Sequence, residues 1–254
     1  SDFEKYLNLY KYKFINNSYE LGGYSVLKNK NILMAMDIGS TPEKRYSENY
    51  QSGPLSFEAI YKGNKIICNS GYFQNHNHKL NKISKSSVAH STLILNNKSA
   101  SLFKKKGGQN ILENGLKSLN KNIIFEKNLW SIKSSHNGYL KEFGTIHERT
   151  LEFLPELEKF LGKDKLIKKK NFKTTSFEIR FHLLPNSKVT KTQDNRTVLI
   201  EIENSGWRFF TNYGFIDVET GLYFGKKNSY SENQNIFISG NTQKEDQLIE
   251  WEII

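Results

Sequence analysis

The sequence predicts an all-β fold, a multi-stranded antiparallel β-sandwich of the supersandwich type with little helix. Short β-patterned runs separated by Gly, Asn and Lys clusters recur almost from end to end. The aromatic content, 17 Phe, 13 Tyr and 3 Trp, suits pleated surfaces that pack on one face. The clearest alternation is Phe177, Ile179, Phe181 and Leu183 against Glu178, Arg180 and His182. That is the pattern of a strand with one dry face and one wet face, and it assigns His182 a surface position.

The elements follow in order. Gly23 to Asp37 reads as a hairpin, with Tyr24, Val26 and Leu27 before Asn29-Lys30-Asn31 and Ile32 to Met36 after it. Ser56 to Tyr61 and Lys65 to Cys68 pair across Lys62-Gly63-Asn64, and Thr92 to Leu95 is a strand turned by Asn96-Asn97. Val198 to Ile202 and Trp207 to Phe210 are joined by Asn204-Ser205-Gly206. Ile216 to Phe224, Ile236 to Ser239 and Leu248 to Ile253 complete the strands. Helical spacing is confined to Phe3, Tyr6, Leu7 and Tyr10, and to Ile111, Gly115, Leu116 and Leu119, where a short turn in a long loop is the simpler reading. Leu151 to Leu161 is ambiguous because Pro155 interrupts it. Many strands with little helix must bury their apolar faces against one another, as packed sheets do. No internal repeat or low-complexity linker divides the 254 residues.

Composition narrows the function. No run approaches the roughly 18 apolar residues of a membrane span. The net charge of +11 raises the possibility of a polyanionic partner. Of 37 basic residues, however, only Arg45, Arg149, Arg180, Arg196 and Arg208 are arginine, the residue suited to bidentate phosphate contacts. No nucleic-acid motif accompanies the charge. Solvated lysines account for Lys104-Lys105-Lys106 and Lys168-Lys169-Lys170, and an acidic glycan is the better polyanion. Cys68 follows Ile66-Ile67 and reads as a buried, inert thiol.

An ordered set of motifs points further. Gly23-Tyr24, Asp37-Ile38-Gly39, Leu55-Ser56-Phe57-Glu58, Asn69-Ser70-Gly71 and Ala89-His90-Ser91-Thr92 occur in this order. His136-Asn137-Gly138-Tyr139, Phe143-Gly144, His147-Glu148-Arg149 and Arg180-Phe181-His182-Leu183-Leu184-Pro185 follow. Together they resemble the C-terminal domain of the heparinase II/III-like polysaccharide lyases over roughly residues 20 to 254. The resemblance implies a β-domain at 19–254, with 1–18 as the connection from an N-terminal helical toroid of the same parent. It also implies an acidic polysaccharide such as a glycosaminoglycan in a cleft between the two parts, and export to a bacterial periplasm or beyond.

Lyases of this kind cleave uronic-acid polymers by β-elimination. The sugar carboxylate must be neutralised, a base must remove the C5 proton, and an acid must protonate the departing O4. The resemblance places most of these groups on the toroid, so the β-domain alone is expected to be inert. It also places a loop histidine before Leu-Ser-Phe, where this chain has Asn49-Tyr50-Gln51-Ser52-Gly53-Pro54. Asn49 and Gln51 cannot shuttle a proton, but either can hydrogen-bond a substrate. Some relatives hold zinc at the positions of Gln51, Asn69 and His90. Two neutral amides argue against that metal, so no cofactor is expected and His90 becomes a hydrogen-bonded structural residue. His76 and His78 read as a solvent-facing loop pair. His136 and Tyr139 are the catalytic candidates if their loop faces the cleft, with Arg149 available to the acidic sugar. The alternative makes His136 to Tyr139 a turn with Tyr139 tucked into the sandwich. A non-catalytic carbohydrate-binding module or a purely structural β-domain remains the rival function.

Overall fold

A computed structural model describes residues 5, 9, 10, 19–203 and 205–254. The helical spacing at Phe3, Tyr6 and Leu7, and most of segment 1–18, lie outside them. Three antiparallel sheets share one apolar core. The first is a five-stranded meander of Glu20–Leu21, Tyr24–Lys28, Ile32–Asp37, Phe57–Tyr61 and Asn64–Ile67. Both hairpins expected in this region form. In the first of them Asn29 Oδ1 accepts the N–H groups of Asn31 and Ile32 at 2.9 and 2.8 Å, which closes the turn.

The second sheet runs Lys188–Lys191, Thr197–Ile202, Ser205–Thr211, Gln247–Ile253, Lys159–Lys168, Thr145–Leu154, Trp130–His136 and Ser118–Phe125, in spatial order. The third runs Phe215–Tyr223, Ser231–Asn241, Ser176–His182 and Leu93–Leu95. Trp251 joins the three. Its ring stacks on Phe57 of the first sheet at 5.3 Å, meets Phe181 of the third edge-on at 4.8 Å, and lies beside Phe209 of its own sheet at 5.9 Å. Gly162, paired with Trp251, makes room for it, since a Cβ there would come within 2.0 Å of the indole.

Three expectations are corrected. Ile111 and Leu119 lie in strands: Leu102–Lys106 and Gln109–Asn114 form a separate hairpin over Gly107-Gly108, Gly115 and Leu116 lie in the connection after it, and Leu119 is in Ser118–Phe125. Leu151 to Leu161 is the bend between two ten-residue strands, Thr145–Leu154 and Lys159–Lys168. Pro155 opens a single 3₁₀ turn there, and Glu158 takes φ 48°. His182 is buried, not at the surface, because the Cys68–Ser91 segment covers the second face of its strand. Ser70 Oγ lies 2.9 Å from His182 Nδ1, and Ser91 Oγ accepts the His182 N–H at 2.9 Å.

Candidate functional site

A cavity of about 510 Å³ opens where the first sheet meets the Asn49–Gly53 loop and the Ala89–Thr92 segment. Its lining includes Tyr24, Asp37, Asn49, Tyr50, Gln51, Ser56, Glu58, Asn69, Tyr72 and His90. The motif residues Ser56, Asn69 and His90, far apart in sequence, therefore converge on one site.

The backbone explains the convergence. Strand Ile32–Asp37 ends with Asp37 N–H donating to Ser56 O at 2.9 Å and Asp37 O accepting Leu55 N–H at 2.8 Å. Leu55 takes φ 58°, which turns the chain back into the loop that carries Gln51. Gly53 packs against His90: a Cβ there would lie 2.8 Å from the ring Cγ and 2.9 Å from Ser56 Oγ. The buried Lys85 ammonium holds the loop from behind, donating to the carbonyls of Ser47, Glu48 and Asn110. Burial lowers its pKa to about 8. Asn69 Oδ1 accepts Ser91 N–H at 2.8 Å, and Ser91 Oγ donates to Cys68 O at 2.6 Å, tying the turn to the histidine segment.

Electrostatics divide the lining. Burial raises the Asp37 carboxyl to about 7, against the N–H that Gly39 donates to its Oδ1 at 3.0 Å. Burial likewise raises the Tyr24 phenol to about 12 and pushes the Tyr50 phenol higher still, so both are neutral donors. His90 is lowered to about 3 by burial and then by neighbouring His182, which leaves a neutral imidazole. Its Nε2 is buried without a hydrogen-bond partner among the described residues, contrary to the expectation of a satisfied structural histidine. Glu58 is spoken for, by Lys65 Nζ at 2.8 Å and Asn69 N–H at 3.3 Å. The side chains of Asn49 and Gln51 make no hydrogen bond among the described residues, which leaves both amides for a ligand.

The family model "Heparinase II/III-like, C-terminal" covers residues 16–252. The chain belongs to this family. Among solved structures it is similar to the heparan sulfate lyase HepC from Pedobacter heparinus, with a TM-score of 0.78 at 14% identity over 99% of this chain and 40% of that one. It is also similar to the heparinase III BT4657 gene product, with TM-scores of 0.74 at 14% and 0.71 at 15% identity. The chain spans about 40% of the length of these lyases. No curated protein matches it.

The other predicted site residues lie elsewhere. His136, Tyr139, His147 and Arg149 are all buried. Tyr139 is tucked into the sandwich, its hydroxyl donating to Leu93 O at 3.0 Å. Arg149 grips Asp164 through Nε at 2.8 Å and Nη2 at 3.1 Å, and has no face open to an acidic sugar. Its Nη1 donates instead to Leu55 O at 2.9 Å and Ser91 O at 2.7 Å, bracing two segments of the cavity from beneath. One tautomer set satisfies the histidines beside it. Gly138 N–H donates to His136 Nδ1, His136 Nε2–H to His147 Nδ1 at 3.3 Å, and His147 Nε2–H to Asp164 at 2.6 Å. His78 caps helix Lys79–Ser84, accepting Leu80 N–H at 3.2 Å, while His76 lies 3.5 Å from Glu48.

The zinc of some relatives does not fit here. Gln51, Asn69 and His90 offer one imidazole and two neutral amides, and the Asn69 oxygen is already committed to Ser91. Asp37, Tyr24 and Tyr50 had no assigned role in the sequence. The signal for Asp37 was its place in the Asp37-Ile38-Gly39 turn, directly across from Leu55-Ser56.

Proposed function

We propose that residues 19–254 form the C-terminal β-domain of a polysaccharide lyase, with the Asn49–His90 cavity as one wall of a cleft for a uronic-acid-containing chain. Residues 1–18 would connect it to a helical toroid. The observation that carries this reading is the pair of unpartnered amides, Asn49 and Gln51, beside neutral phenols in a site the family motifs build. Amide N–H groups of Asn49 and Gln51 can donate to the sugar carboxylate as charge develops on it during loss of the C5 proton. Tyr24 and Tyr50 stay protonated at neutral pH and can hydrogen-bond sugar hydroxyls, but cannot act as the base. His90 stays neutral and cannot supply the acid. The missing proton-transfer groups are assigned to the partner domain, so the chain alone binds and does not cleave.

Incubating the chain with heparan sulfate, alginate and other uronate polymers tests this through the ultraviolet absorbance of the unsaturated product. We expect binding without turnover; rapid cleavage by the chain alone would contradict the division of labour. Gln51, standing where many relatives have histidine, favours a second reading as a non-catalytic binding module. The upstream reading frame separates the two: a toroid with Asn, Tyr and His in place supports the lyase.

A further inference from the structure

We propose that the cavity beside Tyr223 and Tyr230 is a second carbohydrate subsite, which takes a pyranose unit further along the same acidic oligosaccharide. The nature of the ligand rests on the sugar-binding reading above; the residues are separate. This cavity, about 670 Å³, is lined in part by Asn186, Ser187, Glu203, Tyr223, Lys226 and Tyr230. Its volume falls within the roughly 300–1,000 Å³ of small-ligand sites.

Its chemistry is that of a sugar site. Ser187 is 8% exposed, and its Oγ is buried with no hydrogen-bond partner among the described residues. A buried hydroxyl in that state calls for a partner, which a sugar hydroxyl entering the cavity provides. Tyr230 is 58% exposed and Tyr223 half-buried, so aromatic surface is available to the C–H face of a pyranose. Lys226 makes no ion pair among the described residues and can meet a carboxylate or sulfate. Glu203 can accept from a sugar hydroxyl. Mixed donors and acceptors around aromatic faces fit a glycan better than an apolar peptide.

A backbone pairing links the segments that line the two cavities. Gly71, which lines the first, pairs with Phe224, and Phe224 N–H donates to Ser70 O. Phe224 is the chain neighbour of Tyr223 and Gly225, which line the second cavity.

Calorimetric titration of the chain with heparan sulfate and alginate oligosaccharides, as disaccharides and octasaccharides, tests the proposal. The octasaccharide should bind more tightly than the disaccharide. Tyr230→Ala, at an exposed site that leaves the melting temperature unchanged, should reduce that advantage about fivefold, and Ser187→Ala should reduce it by a similar factor. Gln51→Ala should weaken both lengths. Equal octasaccharide affinity for Tyr230→Ala, Ser187→Ala and the unaltered chain, or affinity independent of length, overturns the second subsite while leaving the first. A Gln51→Ala chain that binds normally while Tyr230→Ala does not keeps the second subsite and removes the first. Failure of every oligosaccharide to bind overturns both.

Discussion

Two polar clusters lie on either side of the Leu55–Ser56 backbone, and they differ in one respect: how far their hydrogen-bonding capacity is used up. Below it, His136, His147, Arg149 and Asp164 satisfy one another, with Trp251 Nε1 donating to Asp164 Oδ2 at 2.8 Å. Above it, the side-chain amides of Asn49 and Gln51 have no partners among the described residues, and His90 has an unmet Nε2. Residue type alone would place catalysis in the lower cluster, which holds the imidazoles and the guanidinium. Partner accounting supports the proposal that a ligand binds at the upper one. A buried charged network that is complete works as a brace; an incomplete polar site leaves capacity for something else.

The strongest way to break this contrast is to cut the brace. Asp164→Ala would leave Arg149 charged and buried without its counter-ion, and His147 and Trp251 without an acceptor. Removing one partner of such a pair costs about 3–5 kcal/mol, so urea unfolding should show a large loss of stability, with or without glycan. A change below about 1 kcal/mol would mean the network is not the brace described here.

A smaller effect is expected at the contact between the two regions. Gly53→Ala places a methyl carbon 2.8 Å from His90 Cγ and 2.9 Å from Ser56 Oγ, so the imidazole or the loop must shift. Overpacking of this kind costs about 1–3 kcal/mol. Glycan affinity should fall with it, and unchanged affinity in the calorimeter would show that the loop does not shape the site.

Much of this was legible in the sequence, and the omissions share a cause. The strand at Phe177–Leu183 was plain because one phase is wholly apolar. The strand Thr145–Leu154 is just as regular, but its inward phase is Thr145, His147, Arg149, Leu151 and Phe153, so the brace itself disguises the alternation. Ser118–Phe125 and Leu102–Lys106 bury none of their residues fully and give no dry face to read. Alternation assigns His182 to the wet face because it distinguishes two faces of a strand without saying whether another segment covers the second. The site was legible as motifs, since Ser56, Asn69 and His90 do converge. The Asp37 environment was not, because desolvation depends on what the fold packs around it.

Replacing the free amides should separate binding from stability. Asn49→Ala and Gln51→Ala remove half-buried or exposed groups without partners, so each should alter stability by no more than about 0.5 kcal/mol. Each should weaken glycan binding by about fivefold, the worth of one hydrogen bond of about 1 kcal/mol. Loss of folding in either variant would place it in the brace instead.

The two carboxylates give the finest test, because their pH dependences have opposite sign. Burial pushes the Asp164 carboxyl up, but the Arg149 charge and the His147 hydrogen bond outweigh it and hold the pKa below its ordinary 3.8. The stability Asp164 contributes is present above pH 3.8 and is lost as acid protonates the folded state. Asp37 is raised to about 7, chiefly by burial. Between pH 3.8 and about 7 the unfolded chain has released that proton while the folded chain retains it, so stability falls as pH rises through this window. Asp37→Asn should flatten that part of the melting-temperature profile and leave the acid limb set by Asp164 intact. Binding follows the same titration: a neutral Asp37 tolerates a uronate beside it, whereas the carboxylate repels one. Affinity for the anionic oligosaccharide should therefore decline as pH rises past about 7 in the unaltered chain and stay level in Asp37→Asn. A decline that persists in the variant would assign it to another group and remove Asp37 from the site.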